Sequence, residues 1–271
     1  MEYQRTQADF CVPKQVTELL DGLTKETVCI FRESLVGLYV RGSLATGDFD
    51  PETSDVDVLV ILEKRVDDDT FRKIEEMHGR LVTLHPRYGP WLEATYVDRA
   101  AIRSFTPDVR QPTLLRRKPL VWHPHGCQWL LDYATARECG IALRGPAISS
   151  LIDPIPQDRI KNAIRERLRE WTKWASNPGN PDWQLPNSHK SYVVATMCRA
   201  LYALECNVLA SKVRSTKWAI DIFPEPWRTT VERSRVWLRE LQSDLALVPE
   251  VQRFVFWAST RGTDDASQQE L

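Results

Sequence analysis

The chain has 271 residues, 42% hydrophobic and 27% charged, with a formal net charge of −1. That supplies a sizeable core for one large or two ordinary domains, and no global field draws it to nucleic acid. No apolar run approaches the ~20 residues of a membrane span, and the opening MEYQRTQADF lacks the regions of a secretory signal, so a cytoplasmic protein is expected. Six cysteines (Cys11, Cys29, Cys127, Cys139, Cys198 and Cys206) form no C-x-x-C pair; buried thiols are expected rather than a zinc ribbon or a disulfide framework.

In chain order, Val16, Leu19, Leu20, Leu23 and Val28 predict an amphipathic helix over about 13–34. A short apolar strand follows at 36–40. Residues 42–54, rich in Gly, Asp, Pro and Ser, read as a turn-rich connection. Residues 56–62 form a near-continuous apolar run, as in a central strand. Asp67, Asp68 and Asp69 lead a helix whose dipole they suit. Trp91 to Val97 reads as a third strand, with Glu93 and Thr95 on one face. Residues 98–126 carry several prolines and the basic run Arg116-Arg117-Lys118, taken as a solvated turn. A helix over 128–138 ends at Gly140. Pro154 and Pro156 mark the expected boundary between domains 1–153 and 154–271.

The second part reads as helical: 158–174, 191–205, 226–247 and 249–257, with a Pro/Asn/Gly loop at 175–188. The final TDDASQQEL is expected to fray. Most of the ten tryptophans lie beyond residue 120, which predicts an aromatic core or pocket there. The fold class is an α/β N-terminal domain, a mixed sheet with flanking helices, followed by an all-α helical bundle.

The chemistry concentrates in VGLYVRGSLATGDFDPETSDVDVLVIL, Val36 to Leu62. Asp55 and Asp57, two residues apart at a strand entrance, share one face. Two adjacent carboxylates are costly without a cation, and Mg²⁺, hard and oxygen-ligated, is the obvious one. The Gly42-Ser43 turn just upstream offers backbone N–H groups to a phosphate. Glu93 joins the aspartates if its strand is their neighbour, as a metal ligand or as the base for an attacking hydroxyl.

A Gly-Ser turn followed by Ser-Asp-x-Asp entering an apolar strand resembles the nucleotidyltransferase fold shared with DNA polymerase beta. The match extends to W-L-E-A-T around Glu93 and to SYVVATMCRALYALECNVLASKVRSTKWA, Ser191 to Ala219. With these segments the chain is similar to the aminoglycoside adenylyltransferases that modify streptomycin and spectinomycin. The resemblance implies that Gly42 and Ser43 hold the triphosphate of ATP and that Asp55 and Asp57, with Glu93, bind two Mg²⁺ ions. Glu93 would be the catalytic carboxylate, and Arg199, Lys212 and the aromatic Trp237 would contact the nucleotide. Trp174 and Asp182 fall near the family's streptomycin contacts. Where the family carries a further acidic residue, this chain has Ser188 and His189, and His189 becomes a candidate acceptor contact.

The expected activity is AMP transfer to a hydroxyl of a small-molecule acceptor by a monomer, with no nucleic-acid or membrane partner. Two alternatives remain at this point. One is transfer to a protein hydroxyl or an RNA end, the latter disfavoured by the weak charge. The other is a non-catalytic nucleotide-binding module, disfavoured by the intact carboxylate set.

Overall fold

Alternating apolar residues give the first half a sheet with two buried faces. The computed structural model describes residues 12–264 apart from 104 and 107. The opening ten residues, Cys11 and residues 265–271 of the expected frayed end lie outside them. The chain divides into two compact units between Ile155 and Pro156.

The first unit is built on strands β1 (Leu35–Val40), β2 (Val56–Leu62), β3 (Leu92–Asp98), β4 (Arg110–Leu114), β5 (Leu120–Pro124) and β6 (Ile141–Arg144). Their order is β5-β4-β3-β2-β1-β6. Only the β2–β3 pair is parallel among these; the others run antiparallel. Helices α1 (Lys14–Phe31), α2 (Gly42–Thr46), α3 (Asp68–Leu84), α4 (Arg99–Arg103) and α5 (Cys127–Cys139) complete the unit.

Period-two alternation sorts the side chains. Val56, Val58, Val60 and Leu62 join Leu38, Val40, Ala94 and Tyr96 against Leu19 and Leu23 of α1 and Ile74, Met77 and Leu81 of α3. Leu59 and Ile61 join Tyr39 and Val97 on the other face, against Ile102 of α4 and Trp129, Tyr133 and Ala136 of α5. By the same alternation Asp57 shares the α5 side with Leu59, and Glu93 shares it with Val97. Asp67 caps α3 by accepting from the Thr70 N–H at 2.8 Å.

Two expectations are corrected here, for the connection after β1 and for the cysteines, and two features appear that the sequence pattern did not announce. The connection after β1 opens with a helical turn, α2, rather than irregular chain. Residues 98–126 hold α4 and the β4–β5 hairpin, whose prolines, Pro112 and Pro124, hide the strands from a sequence reading. Strand β6 closes the sheet edge beside β1. The cysteines are mostly not buried: Cys198 is, whereas Cys29, Cys139 and Cys206 are exposed and Cys127 is half-buried.

The second unit comprises α6 (Gln157–Ala175), α7 (Asn187–Cys206), α8 (Lys212–Ile222), α9 (Trp227–Trp237) and α10 (Val248–Asp264). α10 packs on α6 and α7, and α7 on α8 and α9. The expected helix 226–247 stops at Trp237. Beyond it the backbone bonds to the start of α7 instead: Asn187 N–H to Gln242 O at 2.8 Å, Ser188 N–H to Glu240 O at 3.3 Å, and Asp244 N–H to the Asn187 side-chain oxygen at 2.8 Å. These bonds satisfy groups that a continuing helix would have used. α8 was not expected as a helix; Ser211 caps it through the Arg214 N–H at 3.2 Å.

Six of the seven tryptophans of this unit form two groups. Trp218, Trp227 and Trp257 gather around Phe223 and Phe254. Trp171, Trp174 and Trp183 gather with His189 and Tyr192.

Candidate active site

The register of the parallel strands decides the site. Asp57 pairs directly with Glu93 across β2 and β3, so the two carboxyl groups stand side by side on one face. Asp55 lies two residues earlier along the same chain. Burial first, then the charges of Asp57 and Asp55, push the Glu93 carboxyl up to about 7, opposed by a hydrogen bond from the Arg116 N–H and by Arg41. That backbone bond measures 3.2 Å to Glu93 Oε1. A carboxyl group in that range is poised to exchange a proton near neutral pH.

The Gly42-Ser43 turn adjoins the same cluster. The Arg41 N–H donates to Asp57 O at 2.9 Å, tying the end of β1 to β2. Gly42 then takes φ +64°, and a Cβ there would overlap the Asp57 carboxylate, with its Cγ at 2.9 Å. Only glycine fits both the backbone and the space. Gly47, at φ +81°, ends α2 in the left-handed conformation. Ser43 follows Gly42 in the first turn of α2.

Two arginines hold the aspartates. Arg41 Nη2 lies 3.5 Å from Asp57 Oδ1, and its Nη1 lies 3.8 Å from Asp132 of α5. Its guanidinium also faces the Trp129 ring, 5.6 Å from the centroid. Arg116 Nη1 lies 3.3 Å from Asp55 Oδ1, and its guanidinium stacks 3.6 Å from the centroid of Trp91. The turn between β4 and β5 is folded back by an Arg117 N–H bond to Pro90 O at 2.9 Å, which brings Arg116 to the carboxylates. The basic run is therefore not simply a solvated turn, because Arg116 belongs to this cluster. Reading the sequence missed both arginines. The signal for Arg41 was a guanidinium immediately before a Gly-Ser turn at a buried strand end; Arg116 carried none, since its placement depends on an unrecognised hairpin.

Asp55, Asp57 and Glu93, expected to hold Mg²⁺ ions, are neighbours but do not form a ready cage. Among the described residues no three His, Cys, Asp or Glu side chains are grouped to hold a metal. The reason is visible in the contacts: Asp55 and Asp57 each turn an oxygen to an arginine, and Glu93 turns one to a backbone N–H. The donor set itself fits a hard cation, being all oxygen, on one face, and concentrated enough in charge to raise Glu93.

In the helical unit, Arg199 is half-buried on α7 and donates Nε to Ala210 O at 3.1 Å. Lys212 begins α8, exposed, with Nζ 4.9 Å from the centroid of Tyr192. Trp174 Nε1 donates to Asp182 Oδ2 at 3.0 Å, and the Trp174 ring lies 6.0 Å from His189. Burial holds the His189 imidazole below its usual pKa, opposed by Asp182, and its Nδ1 is buried without a hydrogen-bond partner. Trp174, Asp182 and His189 are thus brought together. Trp237 is not with them: it is 5% exposed and lies against the Arg233 guanidinium. So placed, the Trp237 ring packs within the helical unit.

Comparison with known proteins follows the same division. Residues 24–106 match the nucleotidyltransferase domain model, and residues 150–257 match the model of the aminoglycoside adenylyltransferase C-terminal domain. In both of its units the chain is thus similar to the aminoglycoside adenylyltransferases. This adenylyltransferase is 26% identical over 215 residues to an aminoglycoside (3'') (9) adenylyltransferase of Klebsiella pneumoniae, covering 74% of this chain and 77% of that one. It is 25% identical over 237 residues to a spectinomycin 9-adenylyltransferase of Staphylococcus aureus, covering 83% and 84%. A crystal structure of the spectinomycin adenyltransferase AAD(9) from Enterococcus faecialis, with ATP and spectinomycin, superposes with a TM-score of 0.70 at 14% identity, covering 91% of this chain and 98% of that one. No helix of the adenylyltransferase among its described residues is long and apolar enough to cross a membrane.

Proposed function

We propose that this adenylyltransferase transfers AMP from ATP to a hydroxyl of an aminocyclitol antibiotic of the spectinomycin or streptomycin type. The observation that carries the mechanism is the side-by-side placement of Asp57 and Glu93, with Glu93 raised to about 7. Glu93 takes the proton of the acceptor hydroxyl. That oxygen then bonds to the α-phosphorus as the bond to the bridging oxygen of the leaving group breaks, and pyrophosphate departs. Gly42 and Ser43, at the start of α2, orient the phosphates through backbone N–H groups. Asp55 and Asp57, with Glu93, would hold Mg²⁺; when bound, the metal supplies charge neutralisation for the phosphates.

The helical unit's roles are assigned by resemblance. Arg199 and Lys212 go to the nucleotide. Trp174, Asp182 and His189 go to the acceptor, whose ammonium groups suit a carboxylate framed by aromatic rings. An acceptor of this class is supported by the two relatives, which are named for aminoglycoside and spectinomycin adenylylation, and by the similar fold solved with ATP and spectinomycin.

The test is direct. Purified protein with Mg²⁺-ATP is offered spectinomycin, streptomycin, other aminoglycosides and a lincosamide, and products are read by mass spectrometry. An AMP adduct on spectinomycin or streptomycin is expected. Adducts on neither, with pyrophosphate released only when a protein or RNA acceptor is supplied, would replace the antibiotic with that acceptor.

A further inference from the structure

The first unit contains three neighbouring carboxylates and two guanidiniums, and the pairing between them is selective. Asp57 meets Arg41 at 3.5 Å and Asp55 meets Arg116 at 3.3 Å. Glu93 receives only a backbone N–H from the same arginine, at 3.2 Å. Of the three carboxylates assigned to the cation, the two aspartates are the ones in ion-pair range of an arginine. Opposite charges placed this close lower the cost of crowding carboxylates on one strand face.

The two arginines are mounted differently. Arg41 has a side chain only 13% exposed, is shared with Asp132, and lies against Trp129. It has fixed partners on the α5 side and keeps them if Asp57 is taken away. Arg116 has a side chain 38% exposed and stacks closely on Trp91. Its stacking does not depend on Asp55, so the guanidinium can leave that carboxylate without being abandoned.

We propose that Arg41 and Arg116 are internal placeholders for the divalent cation, giving up Asp57 and Asp55 to the metal when it arrives with nucleotide. Their freed guanidiniums then face the incoming phosphate charge, to which Arg is well matched. This rests on the reading of Asp55 and Asp57 as cation ligands. It accounts for a carboxylate set of the right chemistry that does not form a cage, and it gives two residues outside the Asp-x-Asp motif a role in metal affinity.

The experiment measures Mn²⁺ binding without nucleotide, counting free Mn²⁺ by electron paramagnetic resonance. It uses the full chain, its Arg116→Gln and Arg41→Met variants, and Asp57→Asn, each checked for native circular dichroism. Removing a competing cation should tighten Mn²⁺ binding about fivefold for Arg116→Gln, the scale of one partly exposed ion pair, and by at least as much for Arg41→Met. Asp57→Asn should abolish the tight site. Unchanged or weaker Mn²⁺ binding in Arg116→Gln, with Asp57→Asn still deleterious, overturns the placeholder role and leaves the metal ligands standing. Mn²⁺ binding that is indifferent to Asp57→Asn removes the metal ligands and the placeholder role together. If Arg41→Met does not fold, Arg116→Gln alone decides.

Discussion

Two polar clusters, one in each unit, show how differently a protein can accommodate charge. In the helical unit, Lys190 is 0% exposed, yet its ammonium donates to Trp183 O at 3.1 Å, Leu185 O at 3.2 Å and Ser243 Oγ at 3.2 Å. Three donors meet three acceptors, which is all that an ammonium can use. The cluster ties the turn before α7 to the segment after α9. In the sheet unit, Asp57 and Asp132 share the Arg41 guanidinium, Asp55 meets Arg116, and Glu93, with only a backbone N–H, is pushed to about 7. The first arrangement is complete without any visitor. The second holds excess like charge, which is the condition under which a site gains from a ligand. A buried charge with a full complement of hydrogen bonds is therefore architecture, and an unbalanced group of charges is a candidate for chemistry.

The sharpest way to break that contrast is at Glu93. Glu93→Gln keeps the shape and removes the proton acceptor, so turnover should fall by about 10³-fold, in the range for loss of a general base. Nucleotide affinity, measured by calorimetry on the same protein, should persist. A variant retaining near-normal kcat would move Glu93 out of the reaction.

The reciprocal test is at Lys190. Lys190→Met takes that donor from the carbonyls of Trp183 and Leu185 and from the Ser243 hydroxyl; Ser243 still donates to Trp183 O at 3.1 Å, so the loss falls mainly on the Leu185 carbonyl and on the emptied ammonium site. Each buried, unsatisfied group costs about 1–3 kcal/mol, and a total loss of about 3 kcal/mol is expected after partial rearrangement. Urea denaturation followed by tryptophan fluorescence reads it, since Trp183 and its aromatic neighbours lie beside the cluster. A loss below about 0.5 kcal/mol, the scale of an ordinary surface change, would mean that the ammonium is not holding these segments.

The two clusters were not equally legible in the sequence. Asp55, Asp57 and Gly42-Ser43 are close in the chain, and period-two alternation alone puts the aspartates on one face. Glu93 needed one further fact, the β2–β3 register, which local pattern does not supply. Arg41 and Arg116 needed two: the Arg41 N–H bond to β2, and a hairpin whose strands contain prolines. Lys190, in an otherwise ordinary helix start, gave no hint of complete burial because its acceptors come from residues 183, 185 and 243. The helices of the second unit were readable wherever an apolar stripe ran unbroken, as in α6. The sequence reading failed beyond Trp237, where tertiary hydrogen bonds with Asn187 and Ser188 replace helical ones. Local period predicts elements; long-range polar pairing decides where they stop and which charges meet.

The smallest effect expected is also the most diagnostic, because it reads the excess charge without any substrate. The folded-state Glu93 carboxyl lies at about 7, above its ordinary value of 4.5. Between those values the folded protein holds a proton that the unfolded chain has released. Folding therefore gains from this proton fully below about pH 4.5, and the contribution is lost as pH rises through about 7. Glutamine mimics the protonated carboxyl and has nothing to lose. The stability difference between Glu93→Gln and the parent should be near zero at pH 4.5 and grow with pH to about 2 kcal/mol in favour of the variant at pH 8. That is below the full linkage value, about 1.4 kcal/mol per pKa unit, because Glu93 retains some solvent contact. Urea midpoints at a series of pH values supply the curve. A flat difference would place Glu93 in an ordinary carboxylate environment, and the charge imbalance that separates this cluster from Lys190 would then have no thermodynamic footprint.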